Sequence, residues 1–334
     1  MISFCKLKKT AYAVILSASV MALCSCTPSS GDSPGSNPGQ SSGAPPQAST
    51  SPGSSGVGSS GQAAVRAPYT PLMPSAPGEA TLSNDVVSVD YTNASDGYVG
   101  VKYTGTVSKI KLRITGPDEI VYTYDLKGND YAFFPLTAGN GTYSVAVYEN
   151  VKDSEYATAF FETVDVSISN ELSPYLYPNQ YVNFAPDNDC VSFAADLIST
   201  AATDLEAVTL IYNYIITNVT YDYSKASDPP TGYISNPDDT LNTNTGICLD
   251  YAVLMVSMLR SQGIPARLEV GYASDAYHAW LSIYITDVGW VNGVVEFTGS
   301  TWTLMDPTFG ASTQEASLKK FIGDGTNYTL QKIY

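Results

Sequence analysis

Histidine is almost missing from this sequence: among 334 residues there is one, His278. A histidine-rich metal site is therefore excluded, since imidazole is the usual nitrogen ligand of such centres. Positive charge is scarce too, with 16 Lys and Arg against 32 Asp and Glu, a formal net charge of −16. Lys6, Lys8 and Lys9 all fall in the first nine residues, so the rest of the chain is more acidic still. Nucleic-acid binders draw most of their affinity from neutralising phosphates, and a chain this acidic with no basic cluster is not expected to bind nucleic acid. The same charge repels anionic membrane faces. Walker loop, dinucleotide fingerprint, calcium loop and zinc spacing are all absent, so no cofactor and no metal is expected.

Cysteine is sparse where it matters. Of five, Cys5, Cys24 and Cys26 lie at the extreme N-terminus, leaving Cys190 and Cys248. One pair in a chain of this length is no disulfide framework, and the reading is two free thiols, one structural and one reactive. Only 14% of residues are charged while 25 are Tyr, a surface chemistry of hydroxyls and amides that suits a secreted protein.

Residues 1–26 combine a basic start with an apolar run, Ala11 to Leu23, that is too short to span a bilayer. This predicts a signal peptide. Leu23-Cys24-Ser25-Cys26 resembles the bacterial lipobox, with Cys26 as the lipidated residue. From Thr27 to Arg66, 26 of 40 positions are Ser, Gly or Pro, a composition that cannot bury enough apolar surface to offset its chain entropy. Residues 27–75 are expected to be a disordered tether, with a root-mean-square reach of roughly 35 Å over its first 40 residues. The expected location is the extracellular face of a bacterial cell membrane, with membrane contact through the lipid anchor only.

Residues 76–170 read as an all-β module. Short alternating runs at Val86–Tyr91, Tyr98–Tyr103, Ile110–Thr115, Ile120–Leu126, Tyr131–Pro135, Gly141–Tyr148 and Ala157–Glu162 are separated by Gly, Pro, Asn and Asp, the spacing of a β-sandwich. The pattern is similar to immunoglobulin or fibronectin type III modules, and nothing catalytic stands out in it. Past a Pro-broken bridge the period becomes helical, with a short helix at 191–200 and a longer one at 204–218, capped by Thr203 with Glu206. Residues 223–245 are polar and turn-rich.

The chemistry concentrates in 171–334. Cys248 falls in the first turn of an apolar helix that ends near Gln262, where free N–H groups and the helix dipole favour a thiolate. His278 opens a strand whose core-facing positions are Ala279, Leu281, Ile283 and Ile285, so it points the other way with Trp280 and Ser282. Asp306 ends the strand Trp302–Met305 just before Pro307, where an adjacent strand would set it beside His278 to orient the imidazole.

The stretches Val219–Asp222, Gly246–Ala252, Leu259–Arg267, Gly271-Tyr272, His278-Ala279-Trp280 and Trp302–Thr308 resemble the transglutaminase-like core, part of the papain-like superfamily. The resemblance implies an α+β domain at 171–334, with a helix packed on an antiparallel sheet, following the N-terminal sandwich. It implies Cys248 as nucleophile, His278 as base and Asp306 as orienting acid, acting on amide bonds of proteins or peptides, cell-wall peptide among them. Hydrolysis and transfer to an amine both stay open. A second oxyanion donor, beside the Cys248 N–H, is sought among Tyr221, Asn242 and Asn244. The competing expectation is a catalytically silent surface module for binding or adhesion.

Overall fold

The computed structural model describes residues 64–273, 276–286, 288–292, 294–297, 302–305 and 328–334. Cys26, the export segment, the tether up to residue 63 and Asp306 lie outside these residues. The composition predicts a tether through residue 75, but the chain is held from Arg66 onward. The Arg66 guanidinium pairs with Asp204 at 2.9 Å and donates to the Gln262 carbonyl at 3.2 Å, while its N–H donates to Ala201 O at 2.8 Å. Arg66 is the first charged residue after Asp32, and the Asp204 carboxylate at the start of the helix described below matches it.

The seven alternating runs become β2 (Val87–Asp90), β3 (Tyr98–Tyr103), β4 (Ile110–Thr115), β5 (Val121–Leu126), β6 (Ala132–Pro135), β7 (Gly141–Lys152) and β8 (Glu155–Val166), and a short strand that the runs do not include, β1 (Thr81–Ser83), precedes them. They form two four-stranded antiparallel sheets, ordered β1-β2-β3-β6 and β5-β4-β7-β8. Period-two alternation explains the core: in β4, Ile110, Leu112 and Ile114 are buried while Arg113 is exposed. Val89, Val101, Phe134 and Tyr124 join them in one apolar cluster.

The second half contains α1 (Asp189–Leu197), α2 (Asp204–Asn218), β9 (Thr220–Tyr221), α3 (Tyr223–Ser227), α4 (Pro237–Thr243), β10 (Thr245–Gly246), α5 (Cys248–Ser261), β11 (Ala266–Ala273), β12 (Ala276–Ile285), β13 (Gly289–Asn292), β14 (Val294–Phe297), β15 (Trp302–Met305) and β16 (Tyr328–Ile333). The Thr203 hydroxyl caps α2 by accepting the Glu206 N–H at 3.2 Å, and the stripe Val208, Ile211, Tyr212 and Ile215 is buried. The 223–245 segment is more than a loop. Asp222 caps α3, Asn236 caps α4, and Pro237 sits at the first helical position of α4, where its missing N–H does no harm.

Every residue of α5 is buried. α1, α2 and α4 pack around it together with β11 and β12, which belong to an antiparallel sheet ordered β13-β12-β11-β16. A helix enclosed on all sides is mostly apolar, and Leu254, Met255 and Val256 contribute about 1.5–3 kcal/mol each by full burial. Its one buried cation, Arg260, donates to the carbonyls of Ala266 (2.8 Å), Tyr177 (2.8 Å) and Tyr334 (2.7 Å). Burial lowers its pKa to about 9, which still leaves it charged at neutral pH. The result is a mixed α/β fold of antiparallel sheets and few helices, whose apolar core is continuous from the β1–β8 sheets to α5. An aromatic seam joins the two parts: Tyr334 lies 4.4 Å from Tyr181, 5.6 Å from Tyr122 and 6.1 Å from Tyr124, between ring centroids.

Candidate active site

The local sequence around Cys248 forces a particular turn. β10 pairs in parallel with β9, so that Gly246 lies beside Tyr221, and the extended Ile247 then becomes the N-cap of α5. Asp250, at the third helical position, folds back and accepts the Ile247 N–H at 2.8 Å, half of a capping box. Only glycine fits at 246, because a Cβ there would stand 2.5 Å from the Asp250 Cβ. Cys248 is thereby fixed as the first residue of α5, at the positive end of the helix dipole and 7% exposed.

On β12, Ala279, Leu281 and Ile283 are buried in the core shared with α5, as the alternation predicts. The opposite face departs from expectation. His278, Trp280 and Ser282 are 8%, 4% and 0% exposed, so this face is covered as well. The cover comes from β11 and β16: Ser282 Oγ donates to Glu269 at 2.7 Å, the Trp280 side chain also bonds to Glu269, and the Trp280 ring lies 4.9 Å from Tyr328. Burial pushes the Glu269 carboxyl up, against the opposing pull of these bonds and of Arg267. His278 stacks at 21° with Trp280, centroids 6.5 Å apart.

β12 packs against α5. Burial pushes the phenol of Tyr277 up, and charge on Tyr272 and then on Cys248 adds to that shift. Helix α5, which begins at Cys248, and strand β12, which carries His278, are thus packed against each other. Asp306 lies outside the described residues; β15, which precedes it, pairs with β14. Both Cys190 and Cys248 are free thiols. Cys190 sits in the first turn of α1, where burial and the adjoining Asp238 carboxylate push its thiol far above its ordinary value. Among the described residues no group of three or more His, Cys, Asp or Glu is arranged to hold a metal ion.

Each of the three oxyanion candidates makes contacts of its own. Asn242 Nδ2 donates to Asp189 at 3.2 Å, and Asn244 Oδ1 accepts from the Tyr214 hydroxyl at 3.5 Å. Tyr221 is the one that strand pairing sets beside Gly246, with its ring 4.9 Å from Tyr223. The sequence reading misses another group. Asp250, fully buried, accepts from Lys225 Nζ at 2.8 Å and from the Tyr233 hydroxyl at 2.6 Å. An acid in the first turn of α5 is visible in sequence, but its two partners come from the α3-to-α4 segment, 17 and 25 residues away, and no local pattern announces them.

Residues 191–293, a stretch that begins within α1 and takes in β13, match the model of the transglutaminase-like superfamily. The chain is 25% identical over 247 residues to UPF0252 protein MJ1282 of Methanocaldococcus jannaschii, covering 66% of this chain and 67% of that protein. It is 27% identical over 157 residues to the human Kyphoscoliosis peptidase, covering 41% of this chain and only 24% of that protein. Among solved structures, it is similar to a candidate cysteine protease from Cytophaga hutchinsonii, with 15% identity, a TM-score of 0.35 and coverage of 76% of this chain and 73% of that one. Red sea bream transglutaminase aligns at 12% identity and a TM-score of 0.28, over 65% of this chain and 48% of its own. Over residues 191–293, a stretch that holds both Cys248 and His278, this chain carries a transglutaminase-like core domain.

Proposed function

We propose that the chain is an extracellular, lipid-anchored cysteine enzyme that cleaves or transfers amide bonds of proteins or peptides through a thioester. The observation that carries this reading is the placement of Cys248 at the start of a fully buried helix, next to the strand that bears the chain's one histidine. In the proposed reaction the Cys248 sulfur attacks the amide carbonyl carbon, and its proton goes to His278. The oxyanion is held by the Cys248 N–H, with Tyr221 as second donor. His278 then gives the proton to the leaving amine as the C–N bond breaks, and water or another amine resolves the thioester. Asp306 is the proposed orienter of the imidazole. Hydrolysis is favoured over crosslinking, because water needs no recruitment whereas an amine acceptor does.

Cys26 is the proposed lipid site, with residues 27 to about 65 as tether. The strand order supports reading residues 76–170 as a fibronectin type III-like sandwich: β2-β3-β6 and β5-β4-β7-β8 reproduce a three-plus-four Greek key, with β1 as an added edge. Its role is to form a wall against the catalytic half through the Tyr334 seam.

The test is to incubate the full-length chain with a mixed peptide pool, with and without a primary amine, and read cleavage and amine incorporation by mass spectrometry. Mass changes lost in both Cys248→Ala and His278→Ala support the reading. Turnover that survives Cys248→Ala sinks it.

A further inference from the structure

Beneath Cys248 lies a charge arrangement that the reaction as written does not use. Asp250 is 0% exposed, yet three donors converge on its two carboxylate oxygens: Ile247 N–H and Lys225 Nζ on Oδ2, each at 2.8 Å, and the Tyr233 hydroxyl on Oδ1 at 2.6 Å. Lys225 Nζ also bonds the Tyr233 oxygen and lies 4.0 Å from that ring's centroid. A buried carboxylate is expensive unless fully paired, and this one has a cation, a phenol and a backbone N–H. Its Lys225 partner is a quarter exposed, at the surface end of the cluster.

We propose that Asp250, Lys225 and Tyr233 form a charge-balanced clasp that positions the turn carrying Cys248 and sets the electrostatic field at its sulfur. The proposal rests on Cys248 being the reactive thiol. Two features support it beyond the bonds themselves. Gly246 has no side chain where Asp250 folds back, so the turn is built around that carboxylate. The clasp is also the tie between α5 and the α3-to-α4 segment: burial pulls the Lys225 ammonium down, but its bonds to Asp250 and Tyr233 outweigh that and hold it above its ordinary value. Asp250, two residues after Cys248, and Lys225 are thus opposite charges paired at the head of α5.

Other groups surround this turn. β9 presents Tyr221, β12 presents Tyr277 and His278, and Tyr251 of α5 donates its hydroxyl to Val219 O. On the α1 and α4 side the near acid is Asp238, whose carboxylate is taken up by the N–H groups of Asp189 and Cys190. Lys225 is therefore the cation that balances Asp250, and removing either partner alone leaves a net charge.

The experiment is the rate of iodoacetamide labelling of Cys248 against pH, followed on its own peptide by mass spectrometry, in the full-length chain. Asp250→Asn still accepts the Ile247 N–H but leaves Lys225 unbalanced, so labelling near pH 6 is expected to rise about three- to tenfold. Lys225→Met leaves the carboxylate unbalanced, and labelling at the same pH is expected to fall by a similar factor. The double variant returns the profile toward that of the parent, and Tyr233→Phe lowers the melting temperature with little change in the profile. Shifts of the same sign in the two single variants, or a Tyr233→Phe shift as large as that of Asp250→Asn, would mean packing alone is at work and overturn the clasp. If Asp250→Asn does not fold, Lys225→Met decides: an unchanged profile overturns the proposal. Thiol labelling needs no substrate, so the clasp can stand where amide turnover is never found, and can fall where turnover is real.

Discussion

Gly271 stands opposite His278 in the β11–β12 register, and the space a side chain would need at 271 is already taken. A Cβ there would lie 2.1 Å from Thr329 O of β16 and 2.9 Å from the Trp280 ring. The backbone oxygen has no room to give, so the missing side chain is what lets β16 and Trp280 close over the face that carries His278. Gly271→Ala is expected to destabilise the chain by at least about 1–3 kcal/mol, the usual range for overpacking. Trp280 would become more exposed. Urea titration followed by tryptophan emission reads both effects, and an unchanged midpoint would show that β16 does not lie where this register puts it.

Cys190 and Cys248 both occupy the first turn of a helix, and the dipole argument alone would make both reactive. They differ in what else is near. Asp238 sits against Cys190 and reinforces the upward push of burial on its thiol, whereas the acid near Cys248 is matched by Lys225. Under native conditions near neutral pH, iodoacetamide is expected to modify Cys248 and spare Cys190, with both reacting after denaturation. Comparable native rates at the two sites would contradict the arrangement of α1 against α4.

Much of this was legible because the relevant physics is local. Period-two alternation marked β2 to β8 to within a few residues, apart from the longer ends of β7 and β8, and the Thr203 cap together with the apolar stripe marked α2. Cys248 at the head of α5 followed from the apolar run behind it and the helix stop near Gln262. What stayed hidden depends on chain segments meeting from far apart. β16 pairs with β11 from more than 50 residues away, so the second buried face of β12 had no signature in Tyr277–Ile285 itself. The caps Asp222 and Asn236-Pro237 were readable signals for α3 and α4, masked by the polar composition around them. Lys225 and Tyr233 look like ordinary loop residues until Asp250 is placed between them.

Glu269 offers a pH test with a definite sign. Burial raises its folded pKa above the ordinary carboxylate value, so the folded state holds this proton more tightly than the unfolded state does. Its contribution to stability is full below about pH 4, where the unfolded group is also protonated, and is lost as pH rises through the raised folded value. Glu269→Gln keeps an oxygen to accept from Ser282 and Trp280 without the charge. The variant is expected to match the parent in acid and to exceed it in melting temperature at neutral pH. Equal melting temperatures across the range would show that Glu269 is not ionised against a desolvation penalty.

The tyrosine seam sets the alkaline limit of the fold. Burial pushes Tyr181 up to about 12, with Asp125 and Tyr277 adding to it. Tyr122, Tyr124 and Tyr334 are raised by the same cause. Each of these phenols ionises near 10 in the unfolded chain, so each raised value is stability that is intact below about pH 10 and lost as pH climbs from there toward the folded values. Because Tyr122, Tyr124, Tyr181 and Tyr334 join the β1–β8 sheets to the half that contains α5, their ionisation should separate those two parts in one cooperative step. Urea midpoints are expected to hold steady up to about pH 9.5 and then fall steeply, together with a rise in phenolate absorbance. Tyr181→Phe, which removes one ionising group from the middle of the seam, should make that fall shallower. A seam that ionised gradually at ordinary tyrosine values, with no coupled loss of stability, would mean the rings are wet and the two halves are held together by something else.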